Sequence, residues 1–158
     1  MQQTKQISLR KMNWLLFLMG VVQIPLIGFV RPKLIEINDE VVKVKIKLRR
    51  RTKNHLKSMY FGALAVGADI AAGIHVFYFS ETKGVKTSFA FKGMKADFIK
   101  RAESDVTFVC DEGKLIASLL SESIEKKERI NHPVMVKAVD NQNEVVATFE
   151  MIISLKVI

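Results

Sequence analysis

From Val41 to Leu48 the chain alternates: Val42, Val44, Ile46 and Leu48 are apolar, and Lys43, Lys45 and Lys47 carry charge. A period of two predicts a strand with one wet face. The run Lys33 to Asn38 precedes it across Asn38-Asp39-Glu40, and the pair reads as a hairpin. A charged loop, Arg49 to Lys57, follows. Met59 to Phe79 is too long for a strand and apolar all round, which predicts a buried helix. Gly62, Ala63, Ala65, Gly67, Ala68, Ala71, Ala72 and Gly73 keep it thin enough for a sheet to approach closely. Each glycine costs about 1 kcal/mol of helix stability against alanine, so packing or function must compensate.

A turn at Glu81 to Gly84 leads to strands around Lys86 to Phe98 and Asp105 to Asp111. Gly113 to Lys127 reads as a helix, with Leu115, Ile116, Leu119, Leu120 and Ile124 at helical spacing. Pro133 to Val139 and Glu144 to Val157 flank the turn Asp140-Asn141-Gln142-Asn143, a second hairpin signal. One long helix after a hairpin and before several strands predicts an α+β domain, an antiparallel sheet curled around a central helix.

The amino-terminal stretch from Trp14 to Val30 is apolar, with Arg10 and Lys11 before it and Arg31 and Lys33 after it. As a helix it only just reaches the hydrocarbon thickness of a bilayer, and Gln23, Pro25 and two glycines weaken it as a span. The flanking charges give no orientation, and no signal-type cleavage site follows. The expected structure is a helix from about Ser8 to Val22, capped by Ser8 and stopped ahead of Pro25, packing on the domain. The expected division is residues 1–30 for this helix and connector and residues 31–158 for the main domain. The alternative is membrane attachment through residues 14–30.

With 158 residues, 49% hydrophobic and 26% charged, the chain suits one folding unit. A net charge of +9 and a pI near 9.7 attract anions of any kind. No zinc-finger, RNP-like or basic heptad pattern is present, so nucleic acid is not an expected partner. Cys110, the only cysteine, excludes an intrachain disulfide and fits a reducing cytoplasm, the expected location. It lies in the apolar run Val106 to Cys110, which predicts a buried, inert thiol. His55, His75 and His132 lack ligand spacing, so no metal is expected, and neither a Gly-rich phosphate loop nor a GxSxG elbow occurs.

Chemistry concentrates in the segment from Asn54 to Gly73, the expected active-site segment. Unpaired amides at the helix start, near Phe61 and Gly62, can polarise a carbonyl oxygen. Asp69 is the one carboxylate among small and apolar helix residues, and burial should raise its pKa toward that of a useful base. Seven residues separate it from Gly62, roughly 10 Å of helix, so one helix cannot close the site alone. Other readings stay open: Asp69 as a structural carboxylate, Asn54 as a turn residue, and the cations Arg49, Arg50, Arg51, Lys53 and Lys57 as a solvated run.

Asn54, then five residues, then Tyr60-Phe61-Gly62, then Asp69 resembles the hotdog-fold acyl-CoA thioesterases of the phenylacetate-degradation type. Those enzymes carry Asn, a His-Gly-Gly triplet and an acidic residue at these spacings. Here Tyr60 and Phe61 replace the histidine and first glycine. Asp97-Phe98-Ile99-Lys100-Arg101-Ala102 resembles a second family segment, Phe-Leu-Arg-Pro-Ala, and the likeness spans roughly Lys33 to Val157. It implies a hotdog fold, to which the pattern before Pro25 adds the extra amino-terminal helix, and a homodimer or tetramer with the amide and acid on opposite subunits. It also implies an acyl-CoA-type ligand, with no cofactor beyond the CoA of the substrate. Asp69, Asn54, Phe61 and Gly62 become the catalytic candidates; Tyr60, Thr87, Arg51, Lys53, Lys57 and Lys100 become the substrate-binding ones. Three readings follow: a thioester hydrolase, a binding protein of the same fold without turnover, and a membrane-associated protein.

Overall fold

A computed structural model describes residues 6–158. Ser8 caps the first helix, α1 (Leu9–Leu18), its Oγ accepting the Lys11 N–H at 3.2 Å. The helix widens into a π-helical turn at Met19–Gln23. The chain then reverses at Ile24 into a second helix, α2 (Pro25–Val30), where only a connector was expected. Pro25 occupies the first helical position, where its fixed φ and missing N–H are harmless. Two glycines permit the reversal: a Cβ on Gly20 would sit 2.8 Å from Gly28 Cα, so the backbones touch. Residues 14–30 thus form a helical hairpin. Among the described residues only the core helix is long and apolar enough to cross a membrane, and it is mostly buried.

Among the described residues the sheet is a single antiparallel one of six strands, β1 (Lys33–Ile37), β2 (Val42–Ile46), β3 (Thr87–Phe98), β4 (Val106–Cys110), β5 (Ile130–Val139) and β6 (Val145–Val157), in the order β1-β2-β4-β5-β6-β3. β1 and β2 form the expected hairpin, its turn held by Asn38 Oδ1 accepting from the Glu40 and Val41 amides. Val42, Val44 and Ile46 are buried and the lysines between them are not. Asn13 of α1 pairs with Leu34 through both its side-chain amide groups, each bond 2.9 Å, and so covers the open edge of β1.

The core helix, α3 (Phe61–Lys83), lies in the curl of the sheet. Its close approach is literal: a Cβ on Gly67 would lie 2.2 Å from the Phe108 ring, and one on Gly73 3.0 Å from Phe89. The helix runs through the expected turn and stops at Gly84, whose φ of 64° suits glycine. His75 and Tyr78 tie it to the first hairpin turn, His75 Nε2 lying 2.9 Å from Asn38 O and Tyr78 donating to Asp39 Oδ1 at 3.0 Å.

β3 and β4 follow, then α4 (Gly113–Lys126), β5 and β6. β5 begins three residues before the expected Pro133. β4 reaches only Lys137 to Val139, so Pro133 faces a neighbour on one side alone, where a proline is tolerated. Cys110 is fully buried, and burial pushes its thiol up to about 12, as an inert core residue requires. β3, twelve residues long, pairs with β6 alone among the described residues. This is the hotdog arrangement.

Candidate functional site

The loop from Arg49 to Tyr60 sets the start of α3. Buried Thr52 is its hub: its Oγ1 accepts the Arg49 N–H at 2.9 Å and donates to Lys47 O at 2.8 Å, while its carbonyl accepts the Tyr60 N–H at 2.8 Å. Met59 N–H reaches Ala102 O at 2.8 Å and fixes the loop to the chain beyond β3. Asn54 Oδ1 accepts from the Leu56 and Ser58 amides at 2.9 and 3.2 Å, and Asn54 Nδ2 meets Ser58 Oγ at 3.0 Å. The side chain of Asn54 therefore shapes a turn, although it also lines the cleft at the helix start.

That cleft, about 470 Å³, is bounded by Asn54, Ser58, Tyr60, Phe61, Phe98 and Arg101. Tyr60 sits at the N-cap with φ −62° and ψ 137° and makes no side-chain capping bond. Its carbonyl takes the Ala63 and Leu64 amides, and the Phe61 and Gly62 amides have no acceptor among the described residues. The Tyr60 ring folds over Gly62, where a Cβ would lie 2.5 Å from it. Phe61 packs on Tyr60 at 4.7 Å and on Phe98 at 6.3 Å between ring centroids, and all three rings remain about half exposed.

Asp69 belongs to a second cleft, about 450 Å³, between α3, the α1–α2 hairpin and β3. Leu16, Ile24, Ile27, Ile70, Phe89 and Phe91 make its walls apolar. The carboxylate is half-buried, has no hydrogen-bond or ion-pair partner among the described residues, and is pushed above the usual carboxylate range by desolvation alone. Gly62 and Asp69 are seven residues apart, so they share one stripe of α3, with Ala65 and Val66 between them. All four are only partly buried, because the sheet of this chain covers the other side of the helix. The uncovered stripe and the edge strand β3 meet at the Asp69 cleft, where Phe89 and Phe91 face Asp69 and Gly73.

The remaining candidates disperse. Thr87 lies near the far end of α3, its Oγ1 2.6 Å from Ser80 Oγ. Ser80 is nineteen residues beyond Phe61, about 28 Å along the helix. Arg51 turns away toward α2: its guanidinium lies over the Phe29 ring at 5.2 Å and donates to Phe29 O at 3.1 Å. Lys100 borders the helix-start cleft, but its ammonium is shared by Asp140, at 3.2 Å, and Glu144. Lys53 and Lys57 are exposed beside Asn54. Thr52, Ser58, Phe89 and Phe91 were missed. Only Ser58 carried a local signal, four residues after an asparagine in a turn.

No curated protein matches the chain. Solved structures match its fold over nearly the full length. A Pseudomonas aeruginosa protein of unknown function, described as a probable thioesterase, has a TM-score of 0.79 at 18% identity, covering 98% of this chain and 99% of that one. A mutant of a second P. aeruginosa thioesterase gives 0.71 at 12%, with 98% and 97% covered. A Haemophilus influenzae thioesterase gives 0.68 at 12%, with 98% and 94% covered. At such identities the likeness is one of fold. Residues 13–157 match the family described as domain of unknown function DUF4442, and the chain belongs to that family.

Proposed function

We propose that the protein is an acyl-CoA thioesterase whose site is completed across a homodimer. Asp69 carries the proposal: an unpartnered, half-buried carboxylate at an apolar cleft large enough for an acyl chain. Asp69 takes a proton from water as the water oxygen bonds to the thioester carbonyl carbon. The resulting oxyanion accepts hydrogen bonds from the Phe61 and Gly62 amides, aided by the positive end of the α3 dipole. Collapse breaks the C–S bond, and the thiolate of CoA takes the proton from Asp69, leaving a carboxylic acid and free thiol. The groups lie roughly 10 Å apart on one helix, so the amides and the acid meet when two α3 stripes face each other antiparallel. The open edge of β3 supports such pairing, because it leaves a row of backbone donors and acceptors on that side. This chemistry calls on no cofactor or metal, and the phosphates of CoA are assigned to Arg101 at the cleft and to the exposed Lys53 and Lys57 beside it.

A second reading is favoured by one observation. The Tyr60 ring over Gly62 partly screens the amides, which suits a protein that binds acyl thioesters without turning them over. A chain-length series of acyl-CoAs, assayed for free thiol and for binding with wild type and Asp69→Asn, separates the two. Thiol release abolished by the substitution supports hydrolysis. Binding with no thiol release at any chain length leaves the binding protein.

A further inference from the structure

The α1–α2 hairpin has two faces with different neighbours. Met12 and Leu16 are buried against the domain. On the opposite face Trp14, Phe17, Val21, Val22, Leu26 and Phe29 are all more than half exposed, Val22 to 73%. Trp14 and Phe17 stack on each other at 5.5 Å. Scattered apolar side chains on a surface need no explanation; six on one hairpin form a patch that water disfavours.

Next to this patch lies a cationic cleft of about 270 Å³ lined by Arg31, Lys33, Lys45, Lys47, Arg49 and Arg51. Among the described residues one acid reaches into this set, Asp105 at 3.5 Å from Lys45. Lys33 and Lys45 stand directly opposite each other across β1 and β2, a like-charge pair that destabilises a sheet unless an anion relieves it. Arg51 joins the two regions, since it lines the cleft while packing on Phe29. Apolar and aromatic groups bordered on one side by a cluster of cations match the two layers of an anionic bilayer surface, acyl chains below and phosphates above. A second copy of the chain is a poorer match. Its own cations would approach this cluster, and the chain already carries +9.

We infer that the outer face of the α1–α2 hairpin docks on an anionic lipid bilayer, with Trp14, Phe17, Val21, Val22, Leu26 and Phe29 entering the interface and the cleft at Arg51 holding lipid phosphates. The inference is independent of thioester turnover, because the inner face of the hairpin, not the outer, lines the Asp69 cleft.

Trp14 is the only tryptophan in the chain, so its emission reports on the proposed face alone. The full chain is titrated with vesicles of phosphatidylcholine containing phosphatidylglycerol, and with vesicles of phosphatidylcholine only. The expected result is a blue shift of Trp14 emission and co-sedimentation with the anionic vesicles, both weakened by salt. At about fivefold per cation, Lys33→Gln with Lys47→Gln lowers the partition coefficient roughly 25-fold. Val21→Glu with Leu26→Glu abolishes partition; circular dichroism checks folding and light scattering gives the mass in solution. No emission change with anionic vesicles at low salt overturns the inference. So does a change from larger to smaller assembly caused by the glutamates, which would make the face a contact between copies.

Discussion

Phe61→Pro isolates a single backbone hydrogen-bond donor. Residue 61 is the first of α3, and its amide has no acceptor among the described residues, so deleting the N–H breaks no bond within the fold. Proline is favoured at that position, and the preceding Tyr60, at φ −62° and ψ 137°, already has the extended backbone that a following proline demands. Stability should stay within about 1 kcal/mol of wild type, with a small gain from a stiffer unfolded chain. The Phe61 ring is lost as well, so Phe61→Ala is the control that removes the ring and keeps the amide. If the amide binds the oxyanion, its loss lowers kcat by roughly 100- to 1,000-fold, about 2.7–4 kcal/mol. Free thiol released from an acyl-CoA gives the rates, and thermal unfolding gives the stabilities. Equal kcat in Phe61→Pro and Phe61→Ala would refute the assignment of this amide.

Four further outcomes follow from the geometry. Asp69→Asn removes a desolvated carboxylate whose raised pKa makes its charged form unfavourable in the fold, so it should raise Tm at neutral pH. That advantage fades as pH falls through the Asp69 pKa, since the wild-type acid becomes neutral there. If Asp69 is the base, the same shift should move the rising limb of the wild-type kcat/KM upward from the ordinary aspartate value, which a pH–rate profile tests. Gly67→Ala gains about 1 kcal/mol of helix propensity but drives a methyl into the buried Phe108 ring, at about 1–3 kcal/mol or more. Urea unfolding should show a net loss; a stabilised variant would contradict the close packing of α3 on β4. Asn54→Ala leaves the Leu56 and Ser58 amides without their acceptor and should lower stability by about 1–2 kcal/mol in the same measurement, with no loss implying a slack loop.

The sheet and core helix were legible because their periods were unmixed. β2 alternates apolar and lysine residues, and α3 is apolar on every side with glycines where Phe108 and Phe89 press in. α2 was not legible as a helix. Pro25 marks a stop as readily as a start, and the Gly20–Gly28 contact that folds the hairpin joins residues whose pairing no local rule specifies. At the site, Phe61, Gly62 and Asp69 could be selected by residue type and helix position, and Asn54 and Tyr60 through the family resemblance. Their division between two clefts could not, because it depends on how α1, α2 and β3 pack on α3. The basic run from Arg49 to Lys57 shows the same limit. Sequence placed these cations together, but the turn organised by Thr52 sends Arg49 and Arg51 to one side and leaves Lys53 and Lys57 near the helix start.

The central claim, a site built from the amides of one protomer and the acid of the other, is tested by subunit mixing. Phe61→Pro and Asp69→Asn chains carrying different tags are co-expressed, and the mixed dimer is purified through both tags and assayed for thiol release. Each parent homodimer should be inactive or nearly so. In the mixed dimer, the intact Phe61 amide of the Asp69→Asn chain meets the intact Asp69 of the Phe61→Pro chain, giving one working site and about half of the wild-type rate per dimer. A mixed dimer no more active than its parents, beside an active wild type, would contradict the shared site.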